Sequence, residues 1–345
     1  MTGKFGIGLV GLGFAVTPHL RALRDLSDTI AVRGVYSRNR ERREAFAAEH
    51  GYKAAESYAA LLADAELDAV ILLTPPNQRL ELVEQAARAK KHIFMEKPVE
   101  RTTEAAERIV ALCEQAGIRL GITFQHRFRE GALKARELLA SGALGELATA
   151  YLVVPWWRSA DYYSEPGRGT FAQDGGGVLI TQAVHSLDLM LSLTGQAETV
   201  AAIAGTSRLH RIEVEDFVGA GVRFRNGALG SIMATTAAYP GAQEYMVFCC
   251  TRGTATLSGS VLTIAWQDGR REVHGMEAST GGGEDRMAFP HDWHRSQIAE
   301  FVEAVQGGRD PVSNGRTALE VHYLIDALLA SAREGRAMSV KTGGR

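Results

Sequence analysis

Phe5-Gly6-Ile7-Gly8-Leu9-Val10-Gly11-Leu12-Gly13-Phe14-Ala15-Val16 decides how the rest of the chain is read. An apolar run, two spaced glycines and the onset of a helical pattern read as strand, tight turn and helix, the opening of a phosphate-binding βαβ unit. Two registers of G-x-G-x-x-G are available. Starting at Gly6, with Gly8 and Gly11, leaves only five residues for the preceding strand. The turn is therefore assigned to Gly11-x-Gly13-x-x-Val16 after a strand Phe5–Val10. Gly11 permits the tight turn, and Gly13 lets the backbone approach a pyrophosphate. Phe14 and Ala15 lead into the helix whose N-terminus attracts that anion. Val16 replaces the usual small third residue and is expected to widen the helix–strand contact.

Outward from this turn, strand-like runs alternate with helical patterns up to about residue 125. The strands are read at Ile30–Tyr36, Ala69–Leu73, His92–Met95 and Arg119–Thr123. The helices are read at Arg40–His50, Asn77–Ala89 and Thr103–Ala116. Such alternation implies a doubly wound parallel sheet, a Rossmann domain over residues 1–125. Beyond about residue 145 the rhythm changes. Glu146–Val154, Thr199–Gly205, Asp216–Phe224, Leu229–Thr236, Tyr245–Cys250, Ala255–Leu257 and Val261–Trp266 read as strands with hairpin turns at Asn226-Gly227 and Asp268-Gly269. Leu179–Leu193 has helical spacing, and helices close the chain at Asp292–Gln306 and Thr317–Arg333. The expectation is an α+β domain over 126–345 with a large, mostly antiparallel open sheet. The closing helix 317–333 is allowed to pack back toward the first domain. Ser279–Glu284 reads as a mobile loop.

Composition narrows the function. The 345 residues hold 38 Lys+Arg against 40 Asp+Glu, a formal net charge of −2, so no basic field awaits a nucleic acid or an acidic membrane. Three cysteines without metal spacing predict a reducing, cytoplasmic setting and no metal site. No apolar run reaches the roughly 18 residues of a membrane span. Only seven residues are lysine.

One of them stands in His92-Ile93-Phe94-Met95-Glu96-Lys97-Pro98, a strand ending in an acid, a base and a proline. The carboxyl end of a parallel strand is where such sheets hold ligands. At the end of the second strand, Tyr36-Ser37-Arg38 lacks the carboxylate that would accept from both adenosine-ribose hydroxyls of NAD. Ser37 can donate to a 2′-phosphate and Arg38 can pair with it. NADP(H) is therefore the expected cofactor, with NAD(H) as the alternative.

Gly11-x-Gly13, Thr74-Pro75-Pro76-Asn77, Glu96-Lys97-Pro98, Arg127-Phe128 and Gly175-Gly176-Gly177-Val178-Leu179, with His185 and Asp188 downstream, give the whole chain a resemblance to the Gfo/Idh/MocA family of nicotinamide-dependent oxidoreductases. The resemblance implies reversible oxidation of a secondary alcohol on a sugar, cyclitol or related ring. It also implies a homodimer or homotetramer formed through the second-domain sheet. It makes Lys97 and His185 the catalytic pair, with a cis Lys97–Pro98 bond. Thr74, Pro75, Asn77, Glu96 and Gln125 join the cofactor set. Many family members carry an aspartate four residues before the histidine, which a continuous helix would place on the same face. This chain has Thr181 there, which cannot serve as a base. Proton transfer then falls to Lys97 and His185, with Thr181 or Gln182 positioning the hydroxyl. The missing aspartate also leaves room for a non-catalytic, nicotinamide-dependent sensor on the same fold.

Residues 155–171 hold five aromatics among 17 residues. Trp157, Tyr162 and Tyr163 can stack on a ring substrate and bond its edge. Arg158 and Arg168, with Arg127, can clamp a carboxylate. The arginines favour an anionic substrate; the resemblance of this W-R … Y-Y … R-G-T segment to a branch of the family implies a sugar acid or nucleotide-sugar uronate as the favoured substrate, with a carboxylated aromatic cis-dihydrodiol, the substrate of other relatives, as the alternative. Asp292 is expected to cap the helix that follows it.

Overall fold

The computed structural model describes residues 3–280 and 289–343. The chain forms two units, Met1–Thr123 with His291–Ala318, and Phe124–Pro290 with Leu319–Arg345.

The first unit runs β1 (Phe5–Val10), α1 (Val16–Asp25), β2 (Ile30–Tyr36), α2 (Arg40–His50), α3 (Tyr58–Leu62), β3 (Ala69–Leu72), α4 (Arg79–Arg88), β4 (His92–Met95), α5 (Thr103–Ala116) and β5 (Leu120–Ile122). The strands pair in parallel in the order β2-β1-β3-β4-β5. Every residue of β1 and of β3 is buried, as central parallel strands covered on both faces require. The order reverses between β1 and β3, so the loops after these two strands flank the switch-point crevice. Caps set the helix ends. The Asn39 and Thr102 side chains accept from the amides of Arg42 and Ala105. Gly51 and Gly117 close α2 and α5 in the left-handed conformation, at φ 71° and 68°. Val16 is accommodated in the core with Leu12, Ala22 and Leu23.

One helix belongs to a different unit from the one expected. The sequence pattern places residues 126–345 in a single second domain, yet α11 (Asp292–Gln306) lies in the first unit. Its Ile298, Phe301 and Val302 join the core of the parallel sheet. A Cβ at Gly121 in β5 would stand 2.8 Å from the Phe301 ring, so a glycine there admits the phenyl group. Gln297 donates to the Ile122 carbonyl at 2.7 Å. Asp292 is not the cap of α11. His291 holds that position, and Asp292 is paired with Arg295 at 2.9 Å. The last helix, α12 (Gly315–Glu334), belongs to the second unit from Leu319 onward.

The second unit adds α6 (Glu130–Ala140), β6 (Leu147–Pro155), α7 (Ala160–Ser164), α8 (Phe171–Asp174), α9 (Val178–Thr181), α10 (Val184–Thr194), β7 (Ala197–Gly205), β8 (Phe217–Phe224), β9 (Leu229–Thr235), β10 (Tyr245–Cys250), β11 (Gly253–Ser258), β12 (Val261–Trp266), β13 (Arg271–His274) and β14 (Met338–Ser339). Its nine-stranded sheet runs β13-β12-β11-β10-β6-β9-β8-β7-β14, antiparallel except for the β6–β9 pair. The alternation of buried and exposed residues along β6 and β8 gives the sheet one covered face. Helix α6 packs on β11 to β13, and α10 packs on β6. Tyr151, Ile203, Phe217, Leu229 and Val273 are exposed on these strands. Leu179–Leu193 is two helices rather than one. Of the loop read at Ser279–Glu284, residues 281–284 lie outside the described residues.

Candidate active site

The glycine turn is built as the second register requires. Gly11 has φ 93°, and a Cβ on it would stand 2.9 Å from the Leu73 carbonyl carbon and the Thr74 nitrogen. The turn after β1 is thereby pressed against the end of β3. Gly13 differs: its φ is ordinary and a Cβ would meet nothing within 4 Å. Phe14 is 62% exposed at the mouth of α1. Helix α1 starts after Ala15 with no side-chain cap and no acidic residue in its first turn. Its first amides and the positive end of its dipole are thus suited to an anion. The Thr74 hydroxyl is buried with no hydrogen-bond partner among the described residues. Pro75 and Asn77 are exposed beside it. An open glycine, an uncapped helix N-terminus and an orphaned hydroxyl at one switch point fit a dinucleotide.

At the end of β2, Ser37 is half-buried. Arg38 is exposed and makes no hydrogen bond or ion pair among the described residues. Arg43 braces this corner from below, donating to the Ser37 carbonyl at 3.1 Å with its guanidinium 5.7 Å from the Tyr36 ring.

Lys97 follows β4, and its peptide bond to Pro98 is cis. Its neighbour Glu96 is tied on both carboxylate oxygens. Oε1 lies 2.7 Å from His19 Nε2, and Oε2 accepts from the Lys97 amide at 3.2 Å. Burial alone would raise the Glu96 pKa. The hydrogen bond from His19, with the charges of His19, His294 and Lys97, outweighs burial and holds the carboxyl at about 2. His294 is itself pushed down to about 3 by burial and by His19, so it is neutral at physiological pH.

In the second unit, His185 is buried on α10. His126 stacks on it at 4.9 Å between ring centroids, and Phe124 meets it edge-on at 6.0 Å. Thr181 and His185 do not share a continuous helix, contrary to the expected spacing argument. Ala183 donates to the Val178 carbonyl at 2.8 Å, an i→i+5 bond that widens the turn between α9 and α10. Thr181 Oγ1 donates to the Gly177 carbonyl at 2.6 Å and also bonds Gln182 Oε1. Gln182 Nε2 donates to the Tyr162 hydroxyl at 2.9 Å. Thr181, Gln182 and Tyr162 therefore form one hydrogen-bonded row. The glycine triplet serves this turn. The Glu215 carboxylate accepts from the Gly177 and Leu179 amides at 2.9 and 3.3 Å, and the Glu215 backbone fills the space a Gly177 side chain would need.

The expected arginine cluster is largely engaged by carboxylates. Arg127 makes a two-point pair with Asp188, both bonds at 2.6 Å, so Asp188 serves Arg127 rather than the His185 imidazole. Arg168 is bonded to Glu165 at 3.3 Å and Asp174 at 3.2 Å. Arg158 is buried with its guanidinium 5.3 Å from the Trp156 ring and 5.7 Å from Tyr162. Arg168 lies 5.3 Å from the same Tyr162 ring, so two cations share one phenol. Tyr163 is turned inward, bonded to the Thr236 hydroxyl at 2.8 Å, and burial pushes it up to about 12. Trp157 packs on His210 and meets Tyr239 edge-on. Gln125 is buried with its Oε1 unpartnered among the described residues.

Three neighbours of the candidate site escape sequence reading, His19, Arg79 and His210, while His126, which the sequence places equally well at the surface, is buried. His210 bonds Asp216 at 2.7 Å and the Arg158 carbonyl at 2.9 Å, anchoring the aromatic loop. His19 and Arg79 carry a readable signal, since each falls on the buried face of its helix. For His126 and His210 the partners are distant in sequence and no local pattern marks them.

A Rossmann sheet with a glycine turn after β1 and a lysine after β4, two strands away in the sheet, joined to an open mixed sheet, defines a nicotinamide-dependent oxidoreductase. Residues 5–124 match the Gfo/Idh/MocA oxidoreductase family with its NAD-binding Rossmann fold, and residues 132–256 match the Gfo/Idh/MocA C-terminal domain. The chain belongs to the Gfo/Idh/MocA family. It is similar to the D-apiose dehydrogenase of Paraburkholderia graminis, with 26% identity covering 98% of this chain and 90% of that one. It is also similar to the inositol 2-dehydrogenase of Rhizobium meliloti, with 25% identity over 99% and 100%. Among solved structures, the WlbA dehydrogenase of Bordetella pertussis in complex with NADH and UDP-GlcNAcA superposes with a TM-score of 0.82 at 28% identity, covering 99% of this chain and 100% of that one. Among the described residues no single helix is long and apolar enough to cross a membrane.

Proposed function

We propose that this chain transfers hydride between NADP(H) and a secondary alcohol on a sugar or cyclitol ring, with a carboxylated sugar or nucleotide-sugar uronate as the favoured substrate. The observation that carries the reading is the switch point. The Gly11 turn is packed on Thr74, and Lys97 stands at the end of the next strand but one. The residues that would hold the dinucleotide are Gly11, Gly13 and the first turn of α1 for the pyrophosphate, Ser37 and Arg38 for the adenosine end, and Thr74, Glu96 and Lys97 beyond. The bound nicotinamide supplies the hydride acceptor in oxidation and the donor in reduction.

The chain's own groups supply the proton chemistry. Lys97 donates to the alcohol oxygen and orients it. His185 takes the hydroxyl proton in oxidation and returns it in reduction. Thr181, with its hydroxyl directed at the Gly177 carbonyl and Gln182, positions and does not act as base. Arg158 and Tyr162 support a carboxylated ring, as does the similarity to a dehydrogenase solved with UDP-GlcNAcA. The exposed apolar residues Tyr151, Ile203, Phe217 and Leu229 support joining of copies through the open sheet face.

Absorbance of the reduced cofactor, followed with sugar acids and nucleotide-sugar uronates, tests the reading. Lys97→Ala and His185→Ala are expected each to lower kcat by at least ~100-fold, the usual scale of a lost acid–base group. Wild-type turnover in both variants overturns the assignment. Tight NADPH binding without turnover of any polyol or sugar acid favours the sensor reading, for which Thr181 speaks.

A further inference from the structure

Arg79 is the largest buried side chain of the first unit that the reaction scheme leaves without a task. It is the first residue of α4 and only 2% exposed. Helical spacing puts it on the same inward face as Val83, Ala86 and Ala87, all buried. An arginine in that position needs a reason, because a guanidinium withdrawn from water is tolerated only when its donors are satisfied. Here they are satisfied by main-chain oxygens of two separate loops. Nε and Nη2 donate to the Thr74 carbonyl at 3.0 and 2.9 Å. Nη1 donates to the carbonyls of Glu96, Pro98 and Val99. Burial pushes the group down to about 10, partly offset by Glu96 and Glu100, so it stays cationic at neutral pH.

We propose that Arg79 is a positioning residue that clamps the loop after β3 to the Glu96-Lys97-Pro98 segment, so that the cofactor-facing Thr74 and Lys97 are held as one rigid surface. The planar fork makes this possible, since one nitrogen edge reaches Thr74 and the other reaches the segment after β4. Residue 96 is then held twice, by Arg79 at its carbonyl and by His19 at its carboxylate. Lysine at position 79 would keep the charge but has a single nitrogen, which cannot serve both loops at once. The inference rests on Lys97 and Thr74 acting on substrate and cofactor as proposed above.

The test is a double-mutant cycle with two readouts. Arg79→Lys is expected to weaken NADPH binding, measured by fluorescence titration without turnover, by at least ~10-fold and to lower kcat by a similar factor. In a Lys97→Ala background the same substitution should change the residual kcat by less than ~2-fold, because its effect runs through Lys97. An equal loss in both backgrounds means that Arg79 serves only folding, and the clamp is overturned. Hydrogen exchange of the wild-type chain decides the matter if the variants do not fold. The amides of Thr74, Asn77, Glu96 and Lys97 should open as one cooperative unit, and independent opening of the two loops overturns the clamp. Wild-type turnover in Lys97→Ala removes the role of Lys97 on which the clamp rests. An impaired Lys97→Ala beside an unaffected Arg79→Lys removes only the clamp.

Discussion

Two glycines separated by one residue carry opposite duties in the turn after β1, and this separates folding from binding. At Gly11 the positive φ and the contact with Leu73 and Thr74 leave no place for a side chain. Gly11→Ala is expected to lose several degrees of melting temperature along with cofactor binding. At Gly13 a Cβ meets only open space. Gly13→Ala should melt within about a degree of wild type yet bind NADPH at least ~10-fold more weakly, because the methyl occupies the anion's approach to the α1 amides. Differential scanning and fluorescence titration check both, and unchanged affinity in Gly13→Ala contradicts the second register. The proposed preference for NADP(H) rests on Arg38 at the same scale. It is exposed and makes no bond among the described residues, so its charge is available to a 2′-phosphate. Wild type should prefer NADPH to NADH by at least ~10-fold and Arg38→Ala should abolish most of that preference. Equal affinities of the wild type for the two cofactors contradict the NADP reading.

Elements were legible where their own residues dictated them. Strands β1, β2, β4, β10 and β12, and helices α2, α5 and α11, occupy the expected residues because apolar period, caps and closing glycines all act locally. The interrupted helix was not legible. Val178 to Thr194 keeps an apolar helical pattern across the break, while the break is made by Glu215 at the start of α9 and by Tyr162 holding Gln182, both distant in sequence. At the site, Lys97, the Gly11 turn and His185 stood out in sequence, but the engagement of Arg127 did not, because its partner Asp188 lies 61 residues on. That pair ties the short turn bearing His126 to α10 bearing His185, in the interior of the second unit. Burial raises the Asp188 carboxyl above its ordinary range although Arg127 opposes the shift. Asp188→Ala strands a guanidinium that is only 10% exposed and should cost about 3 kcal/mol or more. Arg127→Met with Asp188→Leu should recover at least half of that loss, since an apolar pair leaves no buried charge. Denaturant titration of Arg127→Met, Asp188→Leu and the double variant measures the coupling. Additive losses would mean that the two side chains do not act as a pair.

At the scale of the whole molecule, each unit carries a histidine taken into its interior uncharged, and together they set how the protein responds to acid. In the second unit His322, 4% exposed on α12, is pushed down to about 4 by burial. In the first, His294 is pushed down to about 3. In an unfolded chain both imidazoles take up a proton near the ordinary value of 6.5. As pH falls below that value the unfolded state binds more protons than the native state, so stability declines with acid. The contribution of each residue is intact above about 6.5. It is lost progressively toward pH 4 for His322 and pH 3 for His294. Glu96 extends the decline. Its carboxyl, held near 2, stabilises the fold above the ordinary value of 4.5 and loses that contribution as pH falls toward 2. Between pH 7 and pH 5 each histidine should remove roughly 2 kcal/mol. The melting temperature is therefore expected to drop over this interval, well before the carboxylates titrate. Substituting His322→Leu removes one of these two imidazoles, and the drop in the melting of its unit should shrink accordingly. A drop of the same size in His322→Leu, measured by calorimetry at both pH values, would show that this imidazole is already charged in the native fold.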